Sequence, residues 1–257
     1  MKILAVGDLV GESGVKKLKE ILPKIKKEEK IDFVITNGEN SAGGMGITER
    51  NFKEILEAGT DVVTMGNHTW GKKDIFNFID NPQILRPANY PKGVAGKGIG
   101  IYECNGKRIG VMNFIGRVDI NILSENPFII AKEMVEEIKS DVDIIIIDFH
   151  AEATAEKIAL ARFLDGQITA LFGTHTHVQT ADEQIFPEGT AYITDIGMTG
   201  PKDSVIGMDI SASIKRFETT LPEKYKLAEG ECIFNAVIFE LDDESNKVKE
   251  IKRIYIK

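Results

Sequence analysis

The sequence predicts an α/β fold of two mixed sheets packed face to face, with helices on the outside. Three observations carry that expectation. Apolar runs and amphipathic stretches alternate through the first eighty residues. Two later segments are split by hairpin turn signals. Residues able to ligate metal recur just past the apolar runs in both halves of the chain, at Asp8, Glu39, Asn67, His150, His175 and His177. In an α/β sheet the carboxyl ends of the strands share one edge, where ligands bind.

Taken in order, KILAVG makes residues 2–7 the first strand. A helix follows near 13–28, where Val15, Leu18, Leu22 and Ile25 keep helical spacing. Pro23 is expected to kink or end it. The lysines from Lys16 to Lys30 are then the solvated face of that helix. A strand at 32–37, a helix near 48–58, a strand at 61–66 and a helix near 71–79 continue a parallel βαβ run. Residues 99–104 and 108–114 flank Asn105-Gly106, a hairpin turn. A helix near 127–139 leads to the strand that ends at His150. Another near 154–164 leads to a strand at 168–173. A strand at 190–194 enters the Gly-rich loop DIGMTGP. Residues 231–241 and 247–256 close a second hairpin around DDESN. No repeat or linker divides the chain, and both halves supply ligand candidates, so a single domain over 1–257 is expected.

Composition narrows the function classes. The 257 residues are 42% hydrophobic, enough for a full core, and the net charge is −8. That acidity argues against an extended duplex nucleic acid partner, which needs a basic footprint. A small nucleotide at a metal centre stays compatible. Cys104 and Cys232 lack metal-site spacing and read as buried, reduced residues of a cytoplasmic protein. No apolar run reaches the length of a membrane span. The first residues begin a strand rather than a signal peptide. Self-association is left open.

The strand-end residues offer nitrogen and oxygen donors without thiolates, a set that suits Mn, Fe, Zn, Co or Ni. If the backbone after the 168–173 strand is extended, His175 and His177 point the same way while Thr176 turns aside. A pair of metals about 3.5–4 Å apart needs a bridging carboxylate. Glu39, between the ends of neighbouring strands, is best placed for it. Two divalent ions less Asp8, Glu39 and a bridging hydroxide leave a net positive site, which attracts phosphate. His68 follows Asn67, hangs over the site without having to ligate, and is assigned as general acid. Duller roles exist for each residue: a helix cap for Asp8, a turn for Asn67, solvated loop for Glu39 and Asn40. Asp148, two before His150, is either a support for it or a capped or salt-bridged strand residue. The GGMG at 43–46 reads as a flexible loop bordering the pocket.

Gly7-Asp8, Gly38-Glu39-Asn40, Gly66-Asn67-His68, the lone His150 and Gly173-Thr174-His175-Thr176-His177 resemble, in order and spacing, the motifs of the calcineurin-like metallophosphoesterase superfamily. Val10 stands where that pattern usually has a ligating His, and Glu39 replaces its bridging Asp. With GENSAGGMGIT and DIGMTGP, these departures resemble the YmdB-type phosphodiesterase branch over nearly the whole chain. The resemblance implies a four-layer α/β/β/α sandwich and two transition metals, iron or manganese, with zinc also compatible. It implies one ion on Asp8, Glu39, Asn40 and His177, and the other on Glu39, Asn67, His150 and His175, with His68 as proton donor. It implies hydrolysis of 2′,3′-cyclic nucleotides to 3′-nucleotides. Two readings compete: a phosphomonoesterase or nucleotidase on the same scaffold, and a low-turnover protein that senses nucleotides or RNA ends.

Overall fold

The chain's last long hairpin is built into the middle of its first sheet. The computed structural model describes residues 1–224 and 226–257. The first sheet contains β1 (Lys2–Val6), β2 (Asp8–Leu9), β3 (Phe33–Asn37), β4 (Val62–Thr64), β5 (Ile84–Leu85), β12 (Met198–Pro201), β13 (Cys232–Leu241) and β14 (Val248–Ile256). Its order is β2-β12-β13-β1-β3-β4-β5, with β14 paired to β13. β1, β3, β4 and β5 are parallel, as the βαβ run requires, and β13 is antiparallel to β1. The second sheet contains β6 (Ile99–Cys104), β7 (Lys107–Ile115), β8 (Ile144–His150), β9 (Ala170–Thr174), β10 (Gln184–Ile185) and β11 (Ala191–Ile193), in the order β10-β11-β9-β8-β7-β6.

Alternation along each strand sorts side chains into layers. Ile144 and Ile146 of β8 face Ile3, Ala5, Phe33 and Phe239 of the other sheet. Their neighbours Ile145 and Ile147 face outward, onto Ala131 and Val135 of α3 (Pro127–Ile138) and Leu160 and Ala161 of α4 (Thr154–Phe163). On the far side, Leu4, Val6 and Val34 pack against Leu18, Leu22 and Ile25 of α1 (Gly11–Glu28) and Phe52 and Ile55 of α2 (Glu49–Glu57). The result is the expected four-layer α/β/β/α sandwich. Asn105 and Gly106 both take positive φ, 51° and 76°, as the β6–β7 turn demands.

Some expectations change. Pro23 does not end α1, which continues to Glu28. The helix expected at 71–79 is a short 3-10 helix, Lys73–Asn77. DIGMTGP is not all loop: its second half is β12, held by parallel pairing to β2. A fifth helix, α5 (Ile210–Thr219), has no sequence-derived counterpart; it buries no residue, so no core-facing stripe marks it, and Asp209 caps it. Cys104 and Cys232 are free but only partly buried, because they sit at the end of β6 and the start of β13. Among the described residues no helix is long and apolar enough to cross a membrane.

Candidate metal centre

Eight residues singled out from the sequence meet at the carboxyl edge of both sheets. Asp8 opens β2, Glu39 and Asn40 follow β3, and Asn67 and His68 follow β4. His150 ends β8, while His175 and His177 follow β9. Asp8, Glu39 and His150 are fully buried. Asp8 does not cap α1, whose first cap position is Val10.

Each carboxylate is steadied through one oxygen. The His175 N–H donates to Asp8 Oδ2 (3.2 Å) and the His68 N–H to Glu39 Oε2 (2.9 Å). The second oxygens turn inward. Glu39 Oε1 lies 3.0 Å from His150 Nε2, and Asp8 Oδ1 lies 3.7 Å from His177 Nε2. Asp8 Oδ1 is buried without a hydrogen-bond partner among the described residues. Burial, helped by the Asp195 and Glu39 charges, pushes the Asp8 carboxyl up to about 6 against the pull of His177 and His150. Burial also works against the Glu39 charge, but His150 and His68 outweigh it and hold the group down at about 2.

The histidine tautomers follow from their outer partners. Thr174 Oγ1 donates to Asp148 Oδ1 (2.7 Å), so toward His150 Nδ1 (2.9 Å) it accepts. His175 Nε2 faces Glu152 Oε2 (3.1 Å), and His177 Nδ1 faces the Ile206 carbonyl (2.8 Å); both oxygens only accept. Each ring thus spends an N–H outward and turns its other nitrogen inward, the orientation that outer partners impose on metal-ligating histidines. His150 Nε2 then meets Asn67 Oδ1 (2.8 Å), Glu39 Oε1 (3.0 Å) and His175 Nδ1 (3.0 Å). Burial disfavours charge on His150, yet Glu39, Asp8 and Asp148 outweigh it and push its pKa up to about 9, so at neutral pH Nε2 holds a proton toward Glu39 whose place a metal ion would take. Burial and the neighbouring His150 push His175 down to about 3, so it stays neutral. The geometry therefore calls for a cation where these atoms converge. Glu39, His150 and His175 offer ligand atoms within 4.8 Å of one another. The donor set and the orphaned Asp8 oxygen fit a divalent metal.

Asn40 is turned differently. Its Nδ2 faces Glu39 Oε1 and His177 Nε2 (both 3.2 Å), while its Oδ1 accepts from His68 Nδ1 (2.8 Å). An amide nitrogen carries no lone pair for a metal, so ligation by Asn40 requires the amide to turn over. His68 is not drawn into the histidine cluster, and its side chain is about a third exposed.

His175 and His177 do not reach the site by strand alternation. β9 stops at Thr174, and both histidines take positive φ, 98° and 65°. That conformation is costly for residues other than glycine and persists where the surroundings enforce it. The enforcing group is one that sequence reasoning missed. Lys157 of α4 is fully buried, and its Nζ donates to the Thr174 carbonyl and to Asp195 Oδ2, both at 2.8 Å. Asp195 Oδ2 also accepts from the Thr176 N–H (3.1 Å). One sequence signal existed: Lys157 shares a helical stripe with Leu160, Ala161 and Leu164. Asp148 carries no salt bridge among the described residues; Thr64, Asn37 and Thr174 all donate to it, and it reaches His150 through Thr174.

Gly66 borders the ligands because nothing larger fits. A Cβ on Gly66 would strike Glu39 Oε2 and the His150 ring. Gly46 packs on the backbone of Gly71 and Lys72, so the GGMG loop is fastened to the segment after His68. Gly66→Ala should lower stability by about 1–3 kcal/mol, the usual cost of overpacking. Urea denaturation checks this; unchanged stability would show that Glu39 and His150 can yield.

Two sheets packed face to face, with nitrogen and oxygen donors gathered at their shared strand ends, define a metallophosphoesterase. The chain belongs to the YmdB-like family: the model described as YmdB-like protein matches residues 4–254. It is 49% identical, over 100% of its length and 97% of the relative's, to a Bacillus subtilis (strain 168) protein named 2′,3′-cyclic-nucleotide 2′-phosphodiesterase. The crystal structure of a novel phosphatase from Mycoplasma pneumoniae matches with a TM-score of 0.94 at 38% identity, over 100% of this chain and 93% of that one. A hypothetical protein from Thermus thermophilus matches with a TM-score of 0.94 at 36% identity, over 100% and 99%.

Proposed function

We propose that this protein hydrolyses 2′,3′-cyclic nucleotides at the 2′ bond and releases 3′-nucleotides. The observation that carries the reading is the convergence of Glu39, Asn67, His150 and His175 beside the orphaned oxygen of Asp8, with His68 at its rim. The relationship to the Bacillus protein supplies the substrate class. We assign residues 1–257 to one domain, since the site draws on both sheets.

Asp8, Glu39, Asn40 and His177 would hold one metal ion, and Glu39, Asn67, His150 and His175 a second, iron or manganese. When bound, divalent ions supply positive charge toward the phosphoryl oxygens and make water a stronger nucleophile near neutral pH. The chain's own residues do the rest. Glu39 and Asp8 keep the pocket anionic enough to retain cations. Thr174, Glu152 and the Ile206 carbonyl fix three rings with their lone pairs inward. His68 is anchored through its backbone N–H to Glu39; once the Asn40 amide is turned over, as ligation requires, its Nδ2 donates to His68 Nδ1, which leaves the ring proton on Nε2 for delivery to the departing 2′-oxygen.

A panel with Mn²⁺ tests the reading: 2′,3′-cyclic, 3′,5′-cyclic and monoester nucleotides, with products separated by chromatography. The expected result is 3′-nucleotide from the 2′,3′-cyclic compounds, abolished by chelation and restored by Mn²⁺. Preference for 3′,5′-cyclic nucleotides or monoesters would overturn it, as would full turnover after verified metal removal.

A further inference from the structure

A cleft of about 570 Å³ opens beside the metal centre, and His177 lines it. The other described clefts, such as the one between Phe128 and Phe163, share no residue with the centre. Its floor is the end of the β13–β14 hairpin. Asn235 and Tyr255 are paired directly across that ladder, so their side chains share a face. Two residues along β13 the same face carries Val237, which packs between the two sheets. Asn235 and Tyr255 therefore continue the inter-sheet face beyond the core. One wall is the segment after His177, fastened by Gln179, whose Nε2 donates to the carbonyls of Ala236 (3.1 Å) and Ile254 (3.3 Å). The other wall begins at Ile206, whose carbonyl holds His177.

The lining has the marks of a planar, polar-edged ligand. Tyr255 is 52% exposed and has no ring partner among the described residues. Ile233 and Met198, both nearly buried, give the cleft an apolar bed. Asn235 lines it at 2% exposure, and its Oδ1 is buried with no hydrogen-bond partner among the described residues. A buried amide oxygen without a partner costs free energy, and such groups need a reason. Position supplies one. In a nucleoside 2′,3′-cyclic phosphate the base sits on the sugar carbon next to the one bearing the 2′-oxygen. A base subsite must therefore abut the phosphate site, and His177 is the wall common to both.

We infer that this cleft seats the nucleobase of a cyclic mononucleotide whose phosphodiester lies at the metal centre. Tyr255 stacks on the base and Asn235 meets its polar edge. The assignment rests on the phosphodiesterase reading above. The test compares adenosine 2′,3′-cyclic phosphate with methyl riboside 2′,3′-cyclic phosphate, which has the same reacting bonds and no base. Binding of adenosine 3′-monophosphate and of the base-free 3′-phosphate is measured alongside by calorimetry.

The wild-type enzyme should favour the nucleotide in kcat/KM by about 5- to 150-fold, the range that stacking of one base supports. Tyr255→Ala should collapse that preference, chiefly through KM, while Tyr255→Phe restores it. Phe163→Ala, at the cleft by α3, serves as the control and should leave the preference as it was. Equal use of both cyclic substrates by the wild type would overturn the subsite and leave the phosphodiesterase reading standing. A preference that survives Tyr255→Ala would do the same. If neither cyclic compound is hydrolysed, the phosphodiesterase reading falls. Base-dependent binding lost in Tyr255→Ala would still support the cleft, and base-independent binding would overturn it.

Discussion

Glu39→Gln is expected to strip the centre of metal while leaving the fold intact. The substitution keeps shape and removes charge from the residue that faces His150, His68 and Asn40 at once. In the proposed arrangement Glu39 is shared by both ions, so occupancy should fall at both positions together. Outer partners of ligands are worth about 10–100-fold in metal affinity, and a direct ligand should exceed that. Elemental analysis after dialysis, beside a circular dichroism spectrum, reads the result. Two tightly held ions with normal turnover would show that Glu39 is not the bridge.

His68→Ala should cost about 10²–10⁴ in turnover, the range for a general acid, with metal content unchanged. The deficit should shrink on a substrate whose leaving group needs little protonation, such as a nitrophenyl ester. The geometry supports this split. His68 Nδ1 is engaged with Asn40 and lies 3.6 Å from Glu39 Oε1, so its ring borders the atoms around His150 Nε2 without bonding to them. An equal loss on both substrates would assign His68 to phosphate positioning. Loss of metal would make it a ligand.

Much of this centre is legible in the sequence because strand ends are punctuated. Apolar runs stop abruptly at Asp8, Glu39, Asn67 and His150, and a parallel sheet brings such ends to one edge. Local periodicity does not report how a chain leaves a strand, so the left-handed turn at His175 and His177 is invisible. Its enforcer, Lys157, looks like any helical lysine until its stripe with Leu160, Ala161 and Leu164 is noticed. Tertiary pairing hides β12: four residues rich in Gly, Thr and Pro become a strand only because β2 and β13 lie beside them. α5 escapes for the opposite reason, since it buries nothing. Nor does sequence say which end of the Asn40 amide faces the pocket; its neighbours decide.

The place of β13 has a consequence for the order of assembly. It lies between β1 and β12, although only β14 follows it in the chain. The Gly7 N–H donates to the Asn235 carbonyl (3.0 Å), and the Asp8 N–H to the Gly197 carbonyl (3.1 Å). The first ligand to leave the ribosome is thus among the last to be fixed. A nascent chain that already carries every ligand, His177 included, still has an open edge on β1 and lacks the carbonyls that hold the Gly7 and Asp8 N–H groups. Non-local pairing of this kind makes folding slow and late. The centre is therefore expected to close only after synthesis has passed β13.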